Sequence, residues 1–383
     1  MHLAIDASNI RQGGGVTHLS QLLNEASPAD SGIHHVTVWA CAETAAQLPA
    51  HPWLTKLSPA WVEAGAIKRI FGQQLLLGRE MASRGCEVLF SPGGTVPFYV
   101  ELPVVTMSQN MLPFEPEEAK RFGRWSWMRF KMWLLRQFQG RSFRNADGLI
   151  FLSEYARKGV IRWLGCCQGR QALIPHGIEH RFSASPKSQR SVNSYSFERP
   201  FTFLYVSLLM PYKHQIEVAS AASLLRRAGC PIRVKFVGAD WGRYGQKFRE
   251  TLRKLDFYGE FLNWSGGKPY SDLHREYQSA DAFVFASSCE NLPNILIEAM
   301  SAGLPIACSK RGPMPEVLGK AGVYFDPLQT HEIAEAMRTL VKSADLREKL
   351  AVQAKELGKA YSWKRCANDT FEFIAAVAVS RRT

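Results

Sequence analysis

In the stretch SSCENLPNILIEAMSAGLPIACS, residues 287–309, Glu290 and Glu298 stand eight positions apart. The preceding DAFVFAS is an apolar, β-prone run, and NILIEAMSA reads as a helix ended by Gly303 with Pro305 beyond. Asn291 or Asn294 suits the N-cap and Pro293 the first turn. Glu290 then lies in the loop at the strand's end, and Glu298 one to two turns inside the helix. The pair matches a ligand with diol, diphosphate and diol in series. One carboxylate would accept from sugar hydroxyls, the helix amides would hold the diphosphate, and the other carboxylate would take ribose hydroxyls. A plainer reading makes Glu298 a buried or capping carboxylate and Glu290 a surface-loop residue. Residue types alone lean slightly to the plainer one.

Three other loops could do chemistry. GGGVTHL puts Gly13, Gly14 and Gly15 ahead of a helix, where backbone can approach an anion closely. The spacing is not Gly-x-Gly-x-x-Gly and no Walker lysine follows, so a tight strand-to-helix turn explains it equally well. Gln109, in QNMLPF, could hydrogen-bond sugar hydroxyls, although amides at strand ends are commonly turn formers. Lys213, in LLMPYKHQIEV, precedes a helix where its ammonium could meet a phosphate; a solvated loop lysine is the alternative.

These loops need strands to end at them. HLAIDAS, HVTVWA, EVLFSP, PVVTMS and GLIFLS in the first half, and FTFLYVS, IRVKFVG, AFVFAS and LPIACS in the second, alternate with helical patterns. That is the pattern of parallel α/β sheets covered on both faces. With 383 residues, two domains are expected: 1–180 and 201–361, joined by a polar, serine-rich linker at 181–200. Residues 362–383 read as one amphipathic helix packing back on the first domain. Two doubly wound sheets so joined would face a central cleft, with ligands outside their strand ends.

The eight cysteines form no Cys-x-x-Cys pair, which points to reduced thiols in a cytosolic chain and away from a zinc site. The first residues resemble no secretory signal, and no apolar run reaches the length of a spanning helix. The net charge of +13 asks for an anionic partner. Residues 120–144 carry eight Lys or Arg and no Asp or Glu, leaving +5 for the rest. Trp125, Trp127, Trp133 and several phenylalanines interleave with those cations. On a helical wheel the apolar positions spread around most of the circumference. Contact with an anionic membrane surface is expected of this segment, narrowly ahead of a domain helix with snorkelling arginines. Nucleic-acid binding is the weakest reading, since no recognition motif accompanies the charge.

Together these motifs resemble the Glu-x7-Glu signature and flanking segments of the retaining nucleotide-sugar glycosyltransferases of family 4. GGGVTHL is similar to the family's acceptor-side glycine loop, LIFLSEYARKGV to its strand with Ser153 and Glu154, and LIPHGIEHRF to its pre-linker segment. GPMPEVLGKAGVYFDP is similar to the segment after the signature helix. The resemblance implies two Rossmann-like, doubly wound parallel-sheet domains, the GT-B fold. It implies that Glu290 contacts the donor sugar, Lys213 neutralises the leaving diphosphate and Glu298 holds the ribose. Asn291, Asn294, Ile295 and Gln109 would complete the donor side. It also implies metal-independent chemistry with no cofactor beyond a GDP- or UDP-sugar co-substrate, and no Asp-x-Asp occurs. Anomeric retention would follow, with a hexose such as mannose passing to a growing, lipid-linked glycan of surface polysaccharide at the cytoplasmic membrane face. The alternatives are a small soluble acceptor, or a scaffold that has lost turnover. Four positions depart from the family's pattern: Gln109 stands where many members have histidine, Asn110 where an aspartate is common, Leu208 where an arginine is usual, and Pro293 where glycine is frequent.

Overall fold

The computed structural model describes residues 1–123, 126–240 and 242–381. Arg124 and Trp125 of the basic segment, and Arg382 and Thr383 of the stretch expected as the C-terminal helix, lie outside the described residues. The chain divides into two compact units. The first takes residues 1–119, 126–177 and 362–381, and the second takes 178–361 with 120–123.

The first unit is a seven-stranded sheet of β1 His2–Asp6, β2 His35–Trp39, β3 Leu54–Leu57, β4 Val88–Ser91, β5 Val104–Ser108, β6 Gly148–Phe151 and β7 Arg170–Leu173. The order is β3-β2-β1-β4-β5-β6-β7, and every pairing is parallel. The second is a six-stranded parallel sheet of β8 Phe201–Val206, β9 Ile232–Val237, β10 Leu262–Trp264, β11 Ala282–Phe285, β12 Ile306–Ser309 and β13 Gly322–Phe325. Its order is β10-β9-β8-β11-β12-β13. The central strands are buried throughout, as a sheet covered on both faces requires: Leu3, Ala4 and Ile5 in β1, and Phe283, Val284 and Phe285 in β11.

Strand order reverses between β1 and β4 in the first sheet and between β8 and β11 in the second. At such a switch the loops leaving adjacent strands diverge to opposite faces and leave a crevice at the carboxyl ends. Helix Trp363–Ser380 packs within the first unit against helix Gly14–Asn24 and β5.

Residues 181–200, expected as a flexible linker, pack within the second unit. Lys187 donates to the Ala280 carbonyl at 2.7 Å, and the buried Arg347 guanidinium donates to Gln189 at 2.9 Å and to the Arg190 carbonyl. A polar segment can be ordered without apolar periodicity when buried cations take up its carbonyls. The basic segment is likewise not one helix: helix Pro116–Lys120 ends in it, and helix Trp127–Asn145 begins after Ser126, whose hydroxyl accepts from the Arg129 amide.

Candidate functional site

In the second unit, the loops leaving β8 and β11 flank the switch point, and each delivers one charged residue. Pro211–Lys213 forms a single 3-10 turn after β8. His214 follows at φ 53° and ψ 35°, the one non-glycine residue with positive φ among those described. A left-handed histidine costs on the order of 1 kcal/mol, so neighbours must hold it. The buried imidazole lies with Nε2 2.9 Å from the Ser288 hydroxyl, and that hydroxyl donates to the Tyr212 carbonyl at 3.2 Å. The Ser288 amide also donates to Tyr212, at 2.9 Å. The β11 loop is thereby pinned to the β8 loop immediately before Lys213.

Pinning the loops brings the two charges together: the Lys213 ammonium pairs with a Glu290 carboxylate oxygen. Lys213 is buried and Glu290 half-buried. The ammonium also lies 5.3 Å from the Tyr212 ring centre and 5.6 Å from that of Phe285, while the Tyr205 hydroxyl donates to the Lys213 carbonyl. A buried ammonium is tolerated only when paired this way, and removing one partner leaves an uncompensated buried charge. Gly238, after β9, belongs to the same scaffold. A Cβ there would lie 1.7 Å from the Ser207 carbonyl oxygen, so the two loops approach too closely for any side chain.

Glu298 sits in helix Asn294–Ser301, buried against two phenols. Tyr277 donates to its Oε2 at 2.6 Å, and Tyr270 also donates to the carboxylate. Burial pushes its pKa up to about 7, against the pull of those two hydrogen bonds. Arg181, paired with Glu179, lies 4.9 Å from the Tyr270 ring centre. Among the described residues no hydrogen bond links Glu298 to the Lys213–Glu290 pair. The N-cap of this helix is Pro293, with no side-chain cap, rather than Asn291 or Asn294. Asn294 is instead the first helical residue, because Pro293 ends the loop and its fixed φ leads directly into the first turn. Asn291 is buried in the loop, and the Ile295 carbonyl accepts from Tyr277 at 3.3 Å.

In the first unit, Gly13 takes φ 69° and ψ −150° as the N-cap of helix Gly14–Asn24, a conformation that favours glycine. Gly13 and Gly14 face open space, while a Cβ on Gly15 would come 3.3 Å from Ile10 and 3.7 Å from the Gln109 amide oxygen. Gly15 and Gln109 both line a cavity of about 720 Å³ at the carboxyl ends of β1, β4 and β5. The Gln109 amide nitrogen lies 3.2 Å from His18 Nδ1. His18 is fully buried and stacked on His176 at 4.4 Å, and the Trp363 ring lies against both, 5.5 Å from His176 and 5.9 Å from His18. Burial, and then the neighbouring His176, hold the His18 pKa well below the usual histidine value. A neutral His18 offers Nδ1 as an acceptor, which fixes the Gln109 amide. Leu208, where the arginine is absent, is exposed.

The residues missed in the sequence are His214 and Ser288, which lock the two loops, Tyr270 and Tyr277, which hold Glu298, and the His18–His176–Trp363 stack. Only His18 and His176 carried a signal, as polar rings inside GGGVTHL and LIPHGIEHRF.

Among the described residues no group of three or more His, Cys, Asp or Glu side chains converges as a metal site, and no helix is long and apolar enough to cross a membrane. Residues 188–357 match the family model of glycosyl transferases group 1. A sulfoquinovosyl transferase of Arabidopsis thaliana is 32% identical over 122 residues, 30% of this chain and 24% of the relative. The O-antigen chain mannosyltransferase B of Escherichia coli is 31% identical over 110 residues, 29% of each. A GDP-mannose-dependent phosphatidylinositol monomannoside mannosyltransferase of Mycobacterium tuberculosis is 26% identical over 247 residues, 60% of this chain and 62% of the relative. The matched region thus spans less than two thirds of each relative's length. In three dimensions the chain is similar to HepE of Anabaena, solved in complex with UDP-glucose, at a TM-score of 0.69 and 16% identity over the full length of both. That likeness shows the fold: two parallel α/β sheets in the GT-B arrangement of elements.

Proposed function

We propose that this chain, whose second unit carries the domain of the glycosyl transferases group 1, moves a hexose-type sugar such as mannose from a GDP- or UDP-sugar to a growing, lipid-linked glycan. The observation that carries the reading is the Lys213–Glu290 pair at the switch point of the second sheet. Departure of a nucleoside diphosphate builds negative charge on the leaving oxygens. An ammonium and the N-terminus of helix Asn294–Ser301 stabilise that charge where it develops. Glu290 accepts from the donor sugar's hydroxyls, Glu298 from the ribose, and Asn291, Asn294 and Ile295 line the approach. Gly13 to Gly15 serve the acceptor on the first unit, and Gln109 contacts the donor sugar. Lys213 and the helix amides supply the positive charge without a metal, and the anomeric configuration is retained. Relatives named for O-antigen chains and phosphatidylinositol mannosides support surface-glycan assembly at the cytoplasmic membrane face, with residues 120–144 near anionic lipid and no nucleic-acid partner.

The exposed Leu208 in place of an arginine favours one second reading, a scaffold that binds nucleotide without turnover. Calorimetric titration with UDP-, GDP- and ADP-sugars, with slow donor hydrolysis followed in parallel, separates the two. One binder with hydrolysis supports the transferase, and tight binding without turnover supports the scaffold. No binding at millimolar concentration would sink both.

A further inference from the structure

Helix Ala66–Leu75 is packed inside out. Its buried face carries Gly72, where a Cβ would lie 2.6 Å from the Trp61 side chain, and Gln73, whose amide donates to the buried Asp6 carboxylate. Its apolar residues point to water: Ile67 is 73% exposed, Phe71 62% and Leu75 63%. A helix folding for its own unit would bury these side chains, each worth roughly 1.5–3 kcal/mol. Helix Trp127–Asn145 does the same. It buries Gln139, Gly140 and Ser142 beside Met132 and Phe143, and it leaves Trp127, Phe130, Trp133 and Phe138 exposed on its other side. The Trp127 and Phe130 rings lie 5.4 Å apart and those of Phe130 and Trp133 5.9 Å apart, so the exposed rings form one continuous patch.

The two helices are tied by one loop. The Phe98 amide donates to Gln74 at 2.6 Å, its carbonyl accepts from Arg141 at 3.0 Å, and the Arg141 guanidinium lies 4.2 Å from its ring centre. Tyr99 beside it is almost wholly exposed. The 720 Å³ cavity lies between these elements, walled by Ile70, Phe98, Leu134 and Phe138, with Arg11 and Lys131 also lining it. Residues 66–76 and 127–145 carry seven Lys or Arg and no Asp or Glu.

We propose that the outward faces of helices Ala66–Leu75 and Trp127–Asn145, with the Phe98–Tyr99 loop between them, dock on an anionic bilayer, with the cavity opening within the docked face. The chemistry selects a bilayer over a second copy of this chain. Arg136 and Arg144 turn onto the Trp163 ring, and a two-fold pairing would still set the other five cations against five with no carboxylate of these helices to offset them, whereas acidic headgroups neutralise them while tryptophan and phenylalanine enter the interface. That the cavity receives the acceptor rests on the function proposed above, and it would make the acceptor one presented from the membrane. The docking itself does not rest on it.

The test is co-sedimentation of the full chain with vesicles of phosphatidylcholine alone and of phosphatidylcholine with phosphatidylglycerol. Variants Ile67→Ser/Phe71→Ser and Trp127→Ser/Phe130→Ser are compared, and nucleotide-sugar calorimetry and light scattering are run on each. We expect binding to the anionic vesicles, weaker at high salt, and a loss of roughly tenfold or more in each double variant with nucleotide-sugar binding unchanged. Vesicle binding that persists while no nucleotide sugar binds would uphold the docking and overturn the proposed function alone. Absence of vesicle binding, retention of it by the Ile67→Ser/Phe71→Ser variant, or a dimer that either variant dissociates would overturn the docking.

Discussion

The two units share one architecture and place their working residues at the same topological address, yet the chemistry there is opposite. The second unit buries ions: Lys213 against Glu290, and Glu298 under two tyrosines. The first unit holds its buried imidazole neutral, with His18 stacked and uncharged behind Gln109, and its buried Asp6 carboxylate is met by an amide, beside a cavity lined by amides, hydroxyls and apolar side chains with three cations at its wall. A doubly wound sheet therefore dictates where a ligand binds and leaves its polarity to the loops. An ionic site suits a substrate whose charge changes during reaction. One built mainly from amides, hydroxyls and apolar groups suits a substrate that must be positioned and then released.

The largest effect should come from breaking the ionic half. Lys213→Ala leaves Glu290 half-buried beside the vacated pocket, and we expect turnover to fall at least ~100-fold in a donor-hydrolysis or transfer assay. Glu290→Ala should likewise lose turnover far more than nucleotide affinity; near-normal transfer would remove it from the donor-sugar role. Next comes Glu298. Glu298→Ala should weaken nucleotide binding in calorimetry, and unchanged affinity would leave it a structural carboxylate. Its raised pKa gives a stability signature as well. The folded carboxyl binds its proton more tightly than the unfolded one, so wild-type stability falls as pH rises from about 4.5 to the folded value of about 7. Glu298→Gln should therefore unfold about 1–3 kcal/mol later than wild type at pH 8 by denaturant titration, with the gap closing by pH 5.

Smaller effects should follow from the neutral half. His18→Phe keeps the stack but removes the acceptor for the Gln109 amide, and we expect the KM for the sugar donor to rise several-fold with free-nucleotide affinity unmoved. Because burial lowers the His18 pKa, the wild type should also lose stability as pH drops below about 6.5, where the unfolded imidazole takes a proton that the folded one refuses. The His18→Phe variant should lose that part of the slope. Adding EDTA should change the transfer rate least, within error of none.

The nine strands that could be read from sequence are those with a buried run: β1, β2, β4, β5 and β6 in one sheet, and β8, β9, β11 and β12 in the other. The four that could not are β3, β7, β10 and β13, and they are the four sheet edges. An edge strand has one neighbour and partial cover, so Arg170–Leu173 or Leu262–Trp264 need not carry a continuous apolar signal. The site divides the same way. Glu290, Glu298 and Lys213 could be singled out as candidates because a carboxylate or ammonium at a strand end or in the following helix is conspicuous, although residue types alone leaned to a plainer reading. His214, Ser288, Tyr270 and Tyr277 were not, because each acts through a partner distant in sequence, and spacing along the chain says nothing of that. The linker expected at 181–200 misled for a related reason: its order comes from Arg347, more than 140 residues away.

The crossing at Gly177 carries a consequence for synthesis. A Cβ at Gly177 would lie 2.0 Å from the Trp363 amide nitrogen, so the residue leaving the first unit rests against the residue that re-enters it. The first unit is therefore discontinuous, and its helix Trp363–Ser380, packed on helix Gly14–Asn24 and β5, is made only after the whole of the second unit. A nascent chain emerges N-terminus first, so the second unit is complete on the ribosome while the first still lacks a wall. Until that helix docks, the faces of β5 and helix Gly14–Asn24 that it covers stay open to solvent. Chaperone capture of nascent chains should be concentrated there, and truncation after residue 361 should make the first unit a target for proteolysis while the second remains resistant.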